Sequence, residues 1–369
     1  MMQNDTSDIT RDRPTSPQTD GAAVRRQDLR DLDDAGLREL LRQLGQPVFR
    51  ARQIKEWVWT KNASSFDEMT NLPKTLRAQL EERLYLDVPV EVVRQASADG
   101  SRKYLLRLAD GVTVECVGMP SRDKLAVCAS TQAGCGMGCA FCATGASGLT
   151  RSLSMAEIYE QVMHVRDDFG RRVTSVVLMG QGEPFANYDA SVGALRKLNS
   201  PDGAGIGARH LTVSTCGIIP MIMRFANEPE QFSLAVSLHS AVQRTRDALM
   251  PGVKKFSLIH LYDAMGDYVD KTGRRPTYEY ALIKGVNDTD DELGALCDFC
   301  RDNLAHVNLI KLNDVKGSRF QPSSDARAQE FVRRLSSVGV VATVRNSRGA
   351  DIDAACGQLR QNVGRRSIR

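Results

Sequence analysis

A chain of 369 residues with 42% hydrophobic and 25% charged residues has the composition of an ordinary folded protein, with length for one large α/β domain or two smaller ones. No apolar run approaches the ~18 residues a membrane helix needs, and the polar start has no signal-peptide core, so the expected location is the cytoplasm, with no membrane contact. In that reducing compartment nine cysteines speak for metal binding or catalysis rather than a disulfide framework, while a net charge of +4 permits a nucleic-acid partner without requiring one.

Residues 1–27 are polar and nearly free of large apolar side chains, so burial cannot offset their ordering entropy and the segment reads as a disordered tail. Residues 28–90 read as a small helical accessory domain. In "LDDAGLRELLRQLG" leucines recur at helical spacing (Leu37, Leu40, Leu41, Leu44) and Gly45 is a stop signal. "FRARQIKEWVWTK" places Phe49, Ile54, Trp57 and Val58 on one side with Arg50, Arg52, Lys55 and Lys61 around them, and "KTLRAQLEERLY" adds a further helix. Residues 91–122 read as a β-hairpin linker, "SRKYLLRL" and "VTVECVGM" joined at Asp110-Gly111. From 123 to 357 strand, loop and helix alternate through "KLAVCAS", "VTSVVLMG", "HLTVSTCG", "FSLAVSLHS", "TYEYALIKG" and "HVNLIKLND", with "VGVVATVRN" as a candidate last strand. Ser154 and Glu157 form a capping-box pattern before one of the helices. Such alternation implies an α/β fold on a parallel sheet, open or closed into a barrel, with ligand sites at the C-terminal ends of the strands. Residues 358–369 form a basic tail.

The chemistry concentrates in those loops. "TQAGCGMGCAFCATG" holds Cys135, Cys139 and Cys142 as C-x3-C-x2-C, among glycines and alanine (Gly134, Gly136, Gly138, Ala140) that keep the loop slim and free its N–H groups. Three thiolates suit a soft metal or an iron–sulfur cluster, and no second pair lies nearby to complete a structural zinc site. "MGQGEP" after a strand carries Gly182 and Glu183, a carboxylate able to meet an ammonium in a charge-assisted hydrogen bond. Ser214, Ser237, Leu238 and His239 also end strands, either as helix caps and core residues or as ligand contacts. Cys297 and Cys300, three apart on a helix, read as core packing, as does Cys116.

The C-x3-C-x2-C loop with Phe141 before its last cysteine, followed by the Gly-Glu-Pro segment, resembles the radical S-adenosylmethionine (SAM) superfamily. "CASTQAGCGMGCAFCATG", "SLHSAVQRTRDALMP", "RGADIDAACGQL", "FRARQIKEWVW" and "FDEMTNLP" together resemble the RlmN/Cfr family of adenosine-methylating enzymes, over about Leu32 to Leu359. The resemblance implies a partial (β/α)6 barrel with an N-terminal helical domain. It implies a 4Fe–4S cluster held by Cys135, Cys139 and Cys142, and SAM contacted by Gly182, Glu183, Ser214, Ser237, Leu238, His239 and Asn313. It also implies two SAM molecules per turnover, in the following relay. The thiolate corresponding to Cys356 takes a methyl from one, a radical derived from the second removes a hydrogen from that methyl, and the carbon adds to the adenine ring. The thiol corresponding to Cys128 then attacks the Cys356 sulfur, forming a disulfide and releasing 2-methyladenosine. Glu115 falls at the position of the proton acceptor, although on an alternating strand it also reads as a solvent-facing residue. Gln181 and Cys216 depart from the residues usual at their positions without removing a group the chemistry needs.

The resemblance also implies partners: large-subunit rRNA, tRNA as a candidate second substrate, and an external electron donor such as flavodoxin, with the protein acting as a monomer. The rival within the family is a Cfr-like enzyme that methylates adenosine C8 and confers antibiotic resistance. Phosphate contacts require cations. The candidates are Arg50, Arg52, Lys55, Lys61, Arg345, Arg348 and, in the tail, Arg360, Arg365, Arg366 and Arg369.

Overall fold

The computed structural model describes residues 26–313, 318–345 and 348–359. The tail residues 1–25 and Arg360, Arg365, Arg366 and Arg369 lie outside the described residues. At the start, β1 (Gln27–Asp28) pairs in parallel with β2 (Leu84–Tyr85) and closes a small unit containing α1 (Asp34–Gln43), α2 (Arg50–Lys55) and α3 (Lys74–Arg83). Asp33 caps α1 by accepting the Gly36 N–H at 2.7 Å, and Gly45 ends it at φ +65°, where L side chains are strained. Leu37, Leu41, Ile54, Leu76 and Leu80 are buried together. Phe49 departs from expectation and is 64% exposed. It stands five positions before Ile54, roughly 140° around a helix, so it cannot share the Ile54 face. α2 passes into a π turn over Glu56–Thr60, and that wider turn delivers Trp59 to the core instead.

The rest is built on one ten-stranded sheet in the order β14-β13-β12-β11-β10-β9-β6-β5-β4-β3. β3 (Val90–Ala96), β4 (Arg102–Arg107) and β5 (Thr113–Ser121) form an antiparallel meander whose last strand pairs with β6 (Lys124–Cys128). Residues 91–122 thus hold the β4–β5 hairpin and continue the main sheet. After β6 the chain makes a side ribbon, β7 (Gln132–Gly134) on β8 (Leu149–Ser152), with the four-residue α4 (Ala143–Ala146) between them. It then alternates through α5 (Met155–Phe169), β9 (Ser175–Leu178), α6 (Tyr188–Asn199), β10 (Leu211–Thr215), α7 (Ile219–Phe225) and β11 (Ser233–Ser237). α8 (Gln243–Leu249) and α9 (Leu258–Thr272) precede β12 (Thr277–Leu282), then come α10 (Asp290–Arg301), β13 (His306–Lys311), α11 (Asp325–Ser337) and β14 (Val341–Arg345).

β6 and β9 to β14 are mutually parallel, giving six strand-helix units and a closing strand. The sheet ends at β3 and β14, so the barrel is partial. Its strands are apolar on the face beneath the helices, where Val127, Val176, Val213, Val236, Tyr278 and Leu309 are buried. The Ser154–Glu157 capping box starts α5. Cys116, Cys297 and Cys300 pack in the same core. Among the described residues no helix is long and apolar enough to cross a membrane.

Candidate active site

The C-terminal ends of β9 to β13 surround a cleft that opens to solvent, the usual place for a ligand in an α/β fold. One wall is the cysteine loop. The β7–β8 ribbon anchors it, with the Cys135 N–H donating to the Gly148 carbonyl at 2.9 Å. On its other side the Ala140 N–H donates to Leu249 O at 2.9 Å and the Gly252 N–H to Met137 O at 3.0 Å. A Cβ at Gly252 would lie 2.6 Å from the Met137 carbonyl oxygen, so only glycine permits that approach.

Cys135, Cys139 and Cys142 all line the cleft. Burial pushes the Cys135 thiol up to about 11, and burial together with Cys142 and Cys135 pushes Cys139 higher still. Without a bound cation these two thiols stay protonated, as expected of ligands that deprotonate on metal binding. No three His, Cys, Asp or Glu side chains among the described residues converge on a single-ion site. The residues present, three soft donors spread along one wall, fit an iron–sulfur cluster.

Beside them lies the loop after β9, whose Gly182 backbone N–H reaches Cys135. Gly182 sits at φ +102°, and a Cβ there would come 2.6 Å from the Cβ of Gln132. Gln132 in turn accepts the Glu183 N–H at 2.9 Å. The Glu183 carboxylate spans two strand ends, accepting from the Phe185 N–H (3.0 Å) and the Cys216 N–H (2.7 Å). Burial pushes its pKa up, against those N–H groups. The unused lone pairs of a carboxylate fixed in this way remain available to a ligand ammonium.

Ser214, Ser237, His239 and Asn313 line the same cleft, whereas Leu238 is fully buried behind it and contributes its N–H to Glu279 O at 3.0 Å. His239 adopts a left-handed backbone at φ 55°, fastened by Asn287 Nδ2 on its carbonyl at 2.6 Å. Its Nδ1 accepts the Ala281 N–H at 3.0 Å, which places the proton on Nε2. Burial first, then Arg246, pushes its pKa down to about 3, so the ring is neutral at physiological pH. Sequence reasoning missed Thr215 and Glu279 and gave Cys216 no role, and all three line the cleft. Glu279 is a buried carboxylate held by Asn308 Nδ2 at 3.1 and 3.2 Å. Its place in the alternating "TYEYAL" strand is the one signal that marks it.

Cys356 lies where this cleft meets a second cavity, and it lines both. The second cavity contains Cys128, the last residue of β6, together with Met179 and Arg345. Cys356 is accessible within these hollows, and Cys128 is nearly closed off. Burial and then Cys356 push Cys128 up to about 12, and desolvation also raises Cys356. Arg345 acts on both thiols in the opposite direction. Glu115 is buried on β5, 1% exposed, which overturns the solvent-facing reading. It shares a sheet face with Val117, the partner of Cys128 across the β5–β6 ladder, and its Oε1 is 3.8 Å from Lys103 Nζ.

The cations divide. Arg52 is exposed, but Lys55 pairs with Asp34, and Lys61 pairs with Glu56 at 3.3 Å while lying 3.8 Å over the Trp57 ring. Arg345 is no surface cation: its Nη1 reaches Met179 Sδ at 3.6 Å inside the thiol cavity. Arg348 binds the Pro120 carbonyl at 2.5 Å.

An open parallel barrel bearing three thiols along one wall of its cleft, beside a glycine-glutamate loop, defines a radical SAM enzyme, and residues 129–299 match the family model "Radical SAM superfamily". Residues 27–86 match "Ribosomal RNA large subunit methyltransferase N-terminal domain". The chain is 46% identical over 337 residues to a probable dual-specificity RNA methyltransferase RlmN of Pelotomaculum thermopropionicum, covering 91% of this chain and 92% of that one. A relative of the same description from Clostridium perfringens is 42% identical over 88% of this chain and 94% of its own. The solved structure of a radical SAM methyltransferase from Sphaerobacter thermophilus matches with a TM-score of 0.86 at 45% identity, covering 90% of this chain and 98% of that one. The chain belongs to the RlmN family of radical SAM RNA methyltransferases, a family that implies a 4Fe–4S cluster and SAM as cofactors. The C8-methylating rival is not favoured, because these relatives are RlmN enzymes.

Proposed function

We propose that this protein converts adenosine to 2-methyladenosine in large-subunit rRNA, and in tRNA, by way of a methylated Cys356 and a protein–RNA crosslink that Cys128 resolves. The observation that carries this reading is the position of Cys356. It borders the cleft that holds the cofactor-binding side chains and also the cavity that holds the second thiol, so one sulfur can receive carbon on one side and deliver it on the other.

When bound, the cluster and SAM supply the methyl group and an alkyl radical. The protein's own residues do the rest. Cys135, Cys139 and Cys142 hold the cluster. Glu183 orients the SAM ammonium, and Gly182, Ser214, Ser237, Leu238, His239 and Asn313 complete the binding wall. Arg345 faces both reactive thiols and favours their thiolates, the nucleophilic forms. Glu115, buried on the strand beside Cys128, accepts the proton leaving the ring carbon. The Cys128 thiolate then attacks the Cys356 sulfur: the disulfide forms, the sulfur–carbon bond breaks with its electron pair on the product carbon, a proton completes the methyl group, and the unpaired electron left by radical addition passes out to a one-electron acceptor such as the oxidised donor protein. Arg50, Arg52 and Arg348 are the cations best placed for RNA phosphates. The protein works as a monomer in the cytoplasm, with a low-potential donor such as flavodoxin.

The test is an anaerobic incubation of reconstituted protein with SAM, reductant and unmodified large-subunit rRNA, followed by nucleoside mass spectrometry, with tRNA in a parallel reaction. The expected product is 2-methyladenosine, absent in Cys356→Ala. An 8-methyl product, or 2-methyladenosine that persists in Cys356→Ala, would overturn the reading.

A further inference from the structure

Arg246, on α8, is 1% exposed and has no carboxylate in ion-pairing distance among the described residues. The Asp247 carboxylate next to it accepts from Gln243 Nε2 at 2.7 Å. Arg246 Nη2 donates to the Cys216 carbonyl at 2.7 Å and to Ser237 O at 3.4 Å, and Nε is buried with no hydrogen-bond partner. Two carbonyl contacts do not compensate a buried guanidinium, which is retained in proteins when it has an anion to face. The surroundings name that anion. Leu249 closes α8 and accepts from Ala140, the neighbour of Cys139, while Gly252 just beyond it donates to Met137. The helix is thus fastened to both sides of Cys139. Cys216, Leu249, Met250 and Val253 pack here against Met137, Cys139 and Phe141 in a dry shell where charges are poorly screened. Among the groups whose electrostatic influence reaches Arg246, the sulfurs of Cys216 and then Cys139 come before the Asp247 carboxylate.

We propose that Arg246 is the resident countercharge of the iron–sulfur cluster, held behind Cys139 to favour the one-electron-reduced form. The inference rests on the reading that Cys135, Cys139 and Cys142 are the cluster ligands. A four-iron core of charge two-plus with three thiolates is a monoanion, and uptake of one electron from an external low-potential donor makes it a dianion. A fixed cation in a dry wall stabilises the dianion more and so raises the reduction potential. Net charge and burial are among the protein's means of setting that potential. Arg246 is a positioning residue of this electrostatic kind and makes no bond to substrate.

The experiment is an anaerobic redox titration, read by electron paramagnetic resonance, of the reconstituted full-length protein and its Arg246→Gln and Arg246→Lys variants. In Arg246→Gln the ratio of reduced to oxidised cluster at a given potential should fall at least tenfold, a shift of about 59 mV to more negative values for one electron. Arg246→Lys keeps the charge but cannot span both carbonyls, and its potential should stay near that of the parent. A cluster of unchanged potential in Arg246→Gln would overturn the inference. If that variant does not fold, Arg246→Lys decides alone: a potential near the parent's supports the countercharge, and a tenfold loss of reduction assigns the effect to hydrogen bonding and overturns it. A parent chain that takes up no cluster would refute the ligand assignment instead, a result visible before any variant is compared.

Discussion

At the scale of single residues, the site depends on side chains whose freedom has been removed. Gly182 combines a left-handed φ with contact against Gln132, the residue that holds the Glu183 N–H. Gly182→Ala adds roughly 1–2 kcal/mol of backbone strain and pushes on Gln132. It should lower SAM affinity at least about tenfold in equilibrium binding while the protein remains folded, a loss equivalent to ~1.4 kcal/mol. The two thiols outside the cluster loop make a second prediction. With Cys128→Ala, nothing resolves the carbon–sulfur link, so a denaturation-resistant protein–RNA adduct should accumulate as a slow band on a denaturing gel. Cys356→Ala should give no adduct. A free-running RNA band in Cys128→Ala would refute the resolving role.

Among elements, the joint between the helical unit and the barrel is the most exacting. Arg30 follows β1 and meets Glu160 of α5 at 3.0 Å, both buried, with Arg30 also donating to the Ala63 carbonyl at 3.1 Å. Removing one partner leaves an uncompensated buried charge. Arg30→Met should therefore cost about 3–5 kcal/mol in denaturant unfolding, and Arg30→Met with Glu160→Met should recover most of it. A double variant as unstable as the single one would show that packing, not charge, makes the joint. At the other end of this contact, Ser154 accepts the Glu157 N–H at 3.2 Å, and Ser154→Ala should cost about 1 kcal/mol.

For the whole molecule, pH acts through the same joint. Burial pushes the carboxyls of Asp28, Asp31 and Asp87 up, Asp87 to about 6. A carboxyl whose pKa is raised in the folded state adds stability below its unfolded pKa, and that contribution is lost as pH rises through the folded value. Thermal midpoints of the parent should thus carry a falling component between about pH 4 and 6 from this group. Asp87→Asn should remove it, gaining on the parent at pH 7 relative to pH 4. Parallel pH profiles for the two proteins would rule the assignment out.

Local sequence determined the cysteine loop, the Gly-Glu-Pro turn, the alternation of strands and helices and the capping of α5, because each depends on spacing or on a backbone preference carried by a few adjacent residues. The resemblance to a known family added the distant Cys128 and Cys356. What no local pattern carries is which buried charges face which. Arg345 read as a phosphate contact until β14 placed it among the thiols, and Glu115, which carried both a proton-acceptor and a solvent-facing reading, lost the second when β5 joined the main sheet. Phe49 turned outward because it stands about 140° around the helix from Ile54, and Trp59, which the helix pattern did not mark, came inward through the π turn. Arg246 sits in a helix of ordinary polar composition, and only the packing of α8 against the cysteine loop withdraws it from water. Burial is a property of the assembled barrel, so the electrostatics of this site were decided by tertiary structure alone.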